Sequence, residues 1–355
     1  MAERYAAIRR TTEQLCEPLS PEDCQVQSME DASPAKWHLA HTSWFFETFV
    51  LDRLVPSYRA FDPAFRVLFN SYYQSVGQQH PRPQRGLVSR PALDEVFAYR
   101  AHVDQQMLAL LENGSGADAA IVELGLQHEQ QHQELILTDV KHLLSCNPLR
   151  PAYRECPQTP AIETPALGWQ PFDEGIHWIC HDGGGFAFDN EGPRHRVFID
   201  AFELATRPVT NGEYLGFIDD GGYERPDLWL SDGWNTLQAR GWRAPLYWEQ
   251  RDGAWHAMTL SGLRPLRADE PVCHVSLYEA DAFARWAGAR LPREAEWEVA
   301  AEEVCVEGNF VEGGRLHPAP AAAAGLTQLF GDVWEWTQSA YAPYPGYQPP
   351  AGALG

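Results

Sequence analysis

The chain has 355 residues, 44% of them hydrophobic and 21% charged, with a mean hydropathy of −0.39; this is the composition of a globular protein of two domains or one large one. Its 49 acidic against 27 basic residues give a formal net charge of −22, which repels phosphate backbones and anionic lipid heads, so neither nucleic acid nor a membrane is expected as a partner. No apolar run approaches the ~18 residues of a membrane span, and the N-terminus MAERYAAIRR lacks the apolar stretch of a secretory signal. A cytoplasmic protein is therefore expected. The seven cysteines (Cys16, Cys24, Cys146, Cys156, Cys180, Cys273 and Cys305) are scattered, with no CxxC pair. They read as reduced thiols, not a disulfide framework or a zinc cluster.

The first 150 residues read as helices. A short amphipathic helix is expected near 3–16. Ser33 and Pro34 form an N-cap and first-turn pair. After them Trp37, His38, His41, Phe45 and Thr48 recur at three- and four-residue steps, which predicts a helix over about 34–54. Further helical stretches run from Leu93 to Leu111 and from about Asp118 to Leu144, the second stopped near Asn147-Pro148. Four such apolar stripes are most simply buried as a four-helix bundle, a fold that sets metal and cofactor sites between facing helices.

The last of these helices carries His128-Glu129-Gln130-Gln131-His132. Imidazoles four residues apart project from one face about one turn apart, close enough to share an ion. That face continues through Ile121, Leu124, Leu135 and Ile136, so the pair is expected to point into the bundle. The alternative is a polar helix face with histidines there by chance. For a third ligand the helix at 34–54 offers His38 and His41. His41 lies on the stripe with Trp37, Phe45 and Thr48 and is preferred, while His38 suits a supporting or structural place. Three imidazoles without thiolate or carboxylate fit iron or zinc. The string also satisfies HExxH, the zinc-peptidase helix with Glu129 as general base. It continues Gln133-Glu134-Leu135-Ile136 where a metzincin needs glycine and histidine, so peptidase is the lesser alternative.

Residues 69–91, FNSYYQSVGQQHPRPQRGLVSRP, make a long connection for a compact bundle, and such loops are usually functional or disordered. Tyr72 and Tyr73 precede Arg82, Arg85 and Arg90. Phenols donate a proton or hydrogen atom, and guanidinium groups hold a small substrate's carboxylate. Tyrosines packed under the loop beside solvated arginines are the competing reading.

A proline-rich linker over 151–168 is expected to divide a helical domain, 1–150, from a second domain, 169–355. Only Trp37 and Trp44 of the 13 tryptophans precede residue 169. In the second half β-like runs such as HRVFIDAFEL alternate with turn clusters such as HDGGGF, DDGGY and SDGW, interrupted by one helix from Leu277 to Ala289. This predicts an irregular α+β domain. Trp297, Trp334 and Trp336 read first as core aromatics, with substrate-lining residues able to face a cation as the alternative. His195, His274 and His317 lack metal-like spacing and read as structural.

Several longer motifs carry a family resemblance. Val209-Thr210-Asn211-Gly212-Glu213-Tyr214, Arg290-Leu291-Pro292-Arg293-Glu294-Ala295-Glu296-Trp297 and Gly331-Asp332-Val333-Trp334-Glu335-Trp336-Thr337 resemble the formylglycine-generating-enzyme/sulfatase-modifying fold, a C-type-lectin-like architecture. Trp37-His38-Leu39-Ala40-His41-Thr42 and the His128 to His132 motif resemble a DinB-like helical bundle. The fusion of the two is similar to the ergothioneine-biosynthesis sulfoxide synthases of the EgtB type. The resemblance implies a monomeric, mononuclear non-haem Fe(II) enzyme that uses O2 to join a thiol to C2 of the hercynine imidazole and leaves the sulfur as a sulfoxide. It implies His41, His128 and His132 as iron ligands, Gln131, Trp334 and Trp336 around hercynine, Tyr72 or Tyr73 as the catalytic phenol, and Arg82 and Arg85 on the donor's carboxylate. Cysteine is the preferred donor, with γ-glutamylcysteine and, for selenoneine-type chemistry, a selenosugar as alternatives. A non-catalytic lectin-like binding module is the competing class. Members continue past the Trp-Glu-Trp-Thr segment with further motifs that this chain lacks, so the second domain is expected to be incomplete at its C-terminus.

Overall fold

The computed structural model describes every residue except 114–117, 156, 158, 159, 161, 351 and 353–355. Two compact units divide the chain: Met1–Arg154 with Gly183–Asp189 and the residues from Gln348 on, and Glu155–Asp182 with Asn190–Tyr347. The mixed α+β class follows.

Four long helices build the first unit: α1 (Ala2–Cys16), α2 (Ala35–Phe46), α3 (Leu93–Glu112) and α4 (Ala119–Cys146). All four predicted stretches are helical. The Asp118 carboxylate caps α4 by accepting from the Ala120 and Ile121 N–H groups. Every residue of α2 is buried, as expected of a helix apolar on most of its circumference and enclosed by neighbours; it packs on α3 and α4, and α1 packs on α4 and α3. The start of α2 differs from the prediction. Pro34 takes the capping position, and the Ser33 hydroxyl instead accepts from Arg85 Nη1 at 2.9 Å. Past Phe46 the helix widens into a π-helical turn, Glu47–Leu51, whose Glu47 carboxylate accepts from the Tyr58 and Tyr99 hydroxyls at 2.5 and 2.6 Å. The long connection contains a 3₁₀ turn, Arg82–Leu87. Lys36 pins its far end by donating to the Val88 and Pro91 carbonyls, both at 2.9 Å.

The described residues of the second unit form three small antiparallel sheets: β1 (Trp169–Phe172) with β4 (Phe202–Ala205), β2 (Gly175–Ile179) with β3 (His195–Ile199), and β5 (Trp248–Arg251), β6 (Ala254–Thr259) and β7 (Gly262–Pro265) in sequence order. Where one helix was expected, the described residues form four α-helices: α5 (Asn211–Asp219), α6 (Ser231–Arg240), α7 (Leu277–Trp286) and α8 (Glu294–Ala301). The expected helix ends at Trp286, short of Ala289. Its companions were hidden because the residues that favour turns also open helices: the SDGW cluster is the first turn of α6. Tyr214, Phe217, Tyr223, Leu228, Trp229, Leu237 and Ala282 form the core, with Trp234, Trp242, Trp248 and Trp286 packed against it.

Trp334 and Trp336 correct the core reading, being 86% and 48% exposed. Their segment is neither helix nor strand, so no packed face turns them inward. Trp297 is half-buried and donates to Glu335 at 2.8 Å. His317 pairs with Glu270 at 2.9 Å, and His195 sits against the Pro193 carbonyl at 3.0 Å, both structural contacts. Among the described residues no cysteine is in a disulfide, and Cys156 lies outside them. Among the described residues no helix is long and apolar enough to cross a membrane.

Candidate metal centre

His41 on α2 faces His128 and His132 on α4, and one nitrogen from each ring lies within 4.8 Å of the others. All three rings are buried. Close approach of the helices makes this possible. Gly125, one turn before His128, lies so near α2 that a Cβ there would come within 2.5 Å of Phe46 Cε1 and 2.9 Å of Phe45 Cε1.

The buried face of α4 differs in one respect from the sequence reading. Ile136 is buried but Leu135 is 39% exposed, because the stripe turned inward runs through Val122, Leu126, Glu129, Gln133, Ile136 and Val140, with the histidines on its flank. That rotation decides the place of Glu129. Its fully buried carboxylate accepts from Arg9 Nη1 at 2.9 Å, Arg100 Nη2 at 3.1 Å and Thr12 Oγ1 at 2.7 Å. Burial alone would raise its pKa, but the two guanidinium groups outweigh burial and hold it below the ordinary carboxylate range. Saturated and away from water, Glu129 is no general base. The HExxH peptidase reading loses its base with it.

Hydrogen bonds set the outward nitrogens. His41 Nδ1 lies 2.6 Å from the Phe69 carbonyl, and His132 Nδ1 lies 2.7 Å from His38 Nδ1. His128 Nδ1 is buried with no hydrogen-bond partner. Burial lowers the pKa of all three: His128 is pushed down to about 4, and His41 and His132 lie well below the ordinary histidine value. The rings are therefore neutral at pH 7, the state a metal requires. An orphaned ring nitrogen among three neutral buried imidazoles fits a bound cation.

The connection brings two more candidates to this place. Tyr73 is buried, its ring 6.5 Å from His41, 5.4 Å from Trp44 and 5.3 Å from Phe49. Tyr72 stacks on it at 4.9 Å but is 71% exposed. Burial, then Tyr72, pushes the Tyr73 phenol pKa upward, so the phenol keeps its proton. Arg85 is also buried. Its guanidinium lies 3.4 Å over the Trp37 ring, which itself stacks on His41 at 4.5 Å. It donates to the Ser33 and Ser71 hydroxyls, its Nε has no partner, and it forms no ion pair among the described residues. Burial, then Arg82, pulls its pKa down to about 9. A buried cation without an anion is costly. Arg82 instead lies exposed, tied to the Asp31 carbonyl. Gln131 is exposed, and Trp334 and Trp336 belong to the second unit.

Sequence reasoning missed the Arg9–Glu129–Arg100 bridge. Its members are isolated charges on three helices, and nothing in their local sequence marks them.

Residues 4–136 match the DinB superfamily, and residues 171–322 match the Sulfatase-modifying factor enzyme 1-like domain. A hercynine oxygenase of Mycobacterium tuberculosis is 35% identical over 356 residues, 92% of this chain and 80% of that protein. The chain belongs to the hercynine oxygenase family. A second hercynine oxygenase, from Mycolicibacterium smegmatis, is 32% identical over 388 residues, 98% of this chain and 85% of its own. The hercynine oxygenases thus span both units, as the two-domain resemblance implied. A formylglycine-generating enzyme of M. tuberculosis, 29% identical over 220 residues, matches 47% of this chain and 73% of itself. An oxygenase family suggests a metal cofactor, and the buried triad is the candidate centre for it.

Proposed function

We propose that this hercynine oxygenase family member is a non-haem Fe(II)- and O2-dependent sulfoxide synthase that joins cysteine, or γ-glutamylcysteine, to C2 of the hercynine imidazole. The observation that carries the reading is the convergence of His41, His128 and His132 beside a buried, unpaired Arg85. In atoms the reaction closes: hercynine C2–H and the donor S–H are lost, a C–S bond forms, one oxygen atom ends on sulfur and the other leaves as water with the two hydrogens. O2 is the oxidant for both bonds. Iron, held by the three imidazoles, would supply O2 activation and leave coordination positions for substrates.

The chain's own residues supply the rest. Three neutral rings on two tightly packed helices hold the cation without adding negative charge. Arg85 binds the donor's carboxylate through a charge-assisted hydrogen bond from Nε or the outer edge of its fork. That preference favours an amino-acid thiol over a selenosugar, which offers no carboxylate. Tyr73 holds a proton on its phenol oxygen at the edge of the triad and delivers it there, with Tyr72 stacked above as its cover. Gln131, on the α4 turn between the ligands, would contact hercynine, and Trp334 and Trp336, within the second unit, expose indole faces of the kind that take a trimethylammonium group.

The test is product mass analysis of the full chain with Fe(II), O2 and hercynine, in parallel with cysteine, γ-glutamylcysteine and a selenosugar. A hercynyl sulfoxide with a carboxylate-bearing thiol is expected, with oxygen consumed only when both substrates are present. His128→Ala should remove both the bound iron and the product. Tight zinc with no iron-dependent turnover would overturn the reading.

A further inference from the structure

We infer that Asp139 and His38 are positioning residues that set the metal-binding tautomer of His132 through a two-step hydrogen-bond relay. The inference rests on reading the triad as a metal centre. His38 lies one turn before His41 on α2, and its ring is 5.0 Å from that of His132. Asp139 lies two turns beyond His132 on α4. The Asp139 Oδ2 atom accepts the Ser33 N–H at 2.8 Å and lies 3.0 Å from His38 Nε2. His38 Nδ1 then lies 2.7 Å from His132 Nδ1.

The proton positions follow one by one. A carboxylate only accepts, so His38 carries its proton on Nε2. A neutral imidazole protonated there has a bare lone pair on Nδ1, which makes it the acceptor in the ring-to-ring bond. His132 must therefore donate from Nδ1, and its own lone pair is left on Nε2, the nitrogen free to join the triad. His41 reaches the same tautomer in one step, because its Nδ1 can only donate to the Phe69 carbonyl. His132 Nδ1 meets the His38 ring instead. Without His38 its proton could sit on either nitrogen, and the ring could turn. Outer partners of this kind orient ligands and raise their basicity, and their loss typically weakens metal binding.

The test is titration of the full chain with Co(II) alone, followed by the visible absorption of the bound ion, in a double-mutant cycle. His38→Leu should weaken Co(II) binding by about 10–100-fold. His38→Asn, whose side-chain oxygen can accept from His132 Nδ1, should recover most of the loss. Asp139→Ala should cost roughly tenfold in the wild-type background but nothing further beside His38→Leu, since the carboxylate acts only through that ring. Should His38→Leu fail to fold, the His38→Asn background serves for the same cycle, because asparagine reaches His132 but not Asp139. Binding within twofold of wild type in His38→Leu, or losses that multiply independently, would overturn the relay. A wild-type chain that binds no Co(II), or binds it equally well as His128→Ala, would overturn the metal centre itself.

Discussion

The interiors of the two units differ in buried charge more than in aromatic content: the helical unit buries many charged and polar side chains beside its aromatics and the second unit few, and the contrast separates what each is built to do. Arg9, Lys36, His38, His41, Glu47, Arg85, Arg100, His128, Glu129 and His132 are all buried among the helices. The second unit packs Tyr214, Phe217, Tyr223, Trp229 and their neighbours, with Glu279 and Glu296 among its few buried charges. Burying charge is costly unless each group is paired. In the helical unit the structural charges are paired or hydrogen-bonded: Glu129 with Arg9 and Arg100, Arg9 also with Asp104 at 2.7 Å, Lys36 with the Val88 and Pro91 carbonyls, and Glu47 with the Tyr58 and Tyr99 hydroxyls. Among the described residues of this unit the buried polar atoms without a partner are His128 Nδ1, Arg85 Nε and Trp37 Nε1, at the triad and beside it, and Asn70 Oδ1 in the long connection. Unpaired groups amid otherwise saturated ones are what the proposed ligand-binding role of this place requires.

The largest test of this contrast is Tyr73→Phe, which removes one hydroxyl at the edge of the triad and no packing. It should slow sulfoxide formation by about 10²–10⁴-fold, the usual range for a lost proton donor, while iron content stays at the wild-type level. Tyr72→Phe, on the exposed ring, should cost far less. Equal losses in the two variants would mean that both phenols reach the reacting atoms.

Next in size is stability. Glu129→Ala strands two buried guanidinium groups and should cost about 3–5 kcal/mol, read as loss of far-UV helical signal at lower urea. Glu279→Ala removes the acceptor of the Tyr223 hydroxyl at 2.6 Å and one arm of the Ser276 capping box, and should cost about 1–2 kcal/mol. Similar losses would erase the distinction between an interior rich in paired buried charge and one with little of it.

The same contrast explains what was legible in the sequence. Apolar periodicity and breakers such as Asn147-Pro148 revealed the four long helices, and the four-residue spacing of His128 and His132 together with the α2 stripe pointed at the rings that converge. Burial of Arg85 was not legible, since an arginine in a polar, proline-rich loop looks solvated and only Trp37 beneath it draws it in. The π-helical turn has no sequence signature. In the second half the strongest motifs turn out to be helix starts. Thr210 with Glu213 and Ser276 with Glu279 are capping boxes, and Glu296 accepts from the Arg293 N–H and both outer nitrogens of Arg290. Those residues identify a family because they hold its scaffold, and for that reason they say little about its chemistry.

Arg85→Met tests the unpaired cation directly. A charge-assisted hydrogen bond is worth about 1.5–3 kcal/mol, or roughly 10–100-fold in binding, so the KM for the thiol donor should rise by that factor with bound iron unchanged. A matching fall in iron content would instead make Arg85 part of the support for the metal centre.

The smallest effect is a pH response of opposite sign in the two units of the metal-free chain. Burial pushes His128 down to about 4, below its unfolded value near 6.5. The unfolded chain then binds more protons than the folded one between those values. The helical unit should accordingly lose stability as pH falls from about 6.5 to about 4, with a slope of at most about 1.4 kcal/mol per pH unit for this group. In the second unit burial raises Glu335 to about 7 from 4.5, against the lowering effect of Trp297. Here the folded chain holds the extra proton, so stability is present below about 4.5 and is lost as pH rises towards 7. Far-UV helicity follows mainly the first unit, and tryptophan fluorescence follows mainly the second, where eleven of the 13 indoles lie. Unfolding midpoints that diverge on these two probes between pH 4.5 and 6.5, the first rising with pH and the second falling, are the expected result. Saturating Fe(II) should shift the first further upward, because the metal and the proton compete for the same ring, and leave the second where it was.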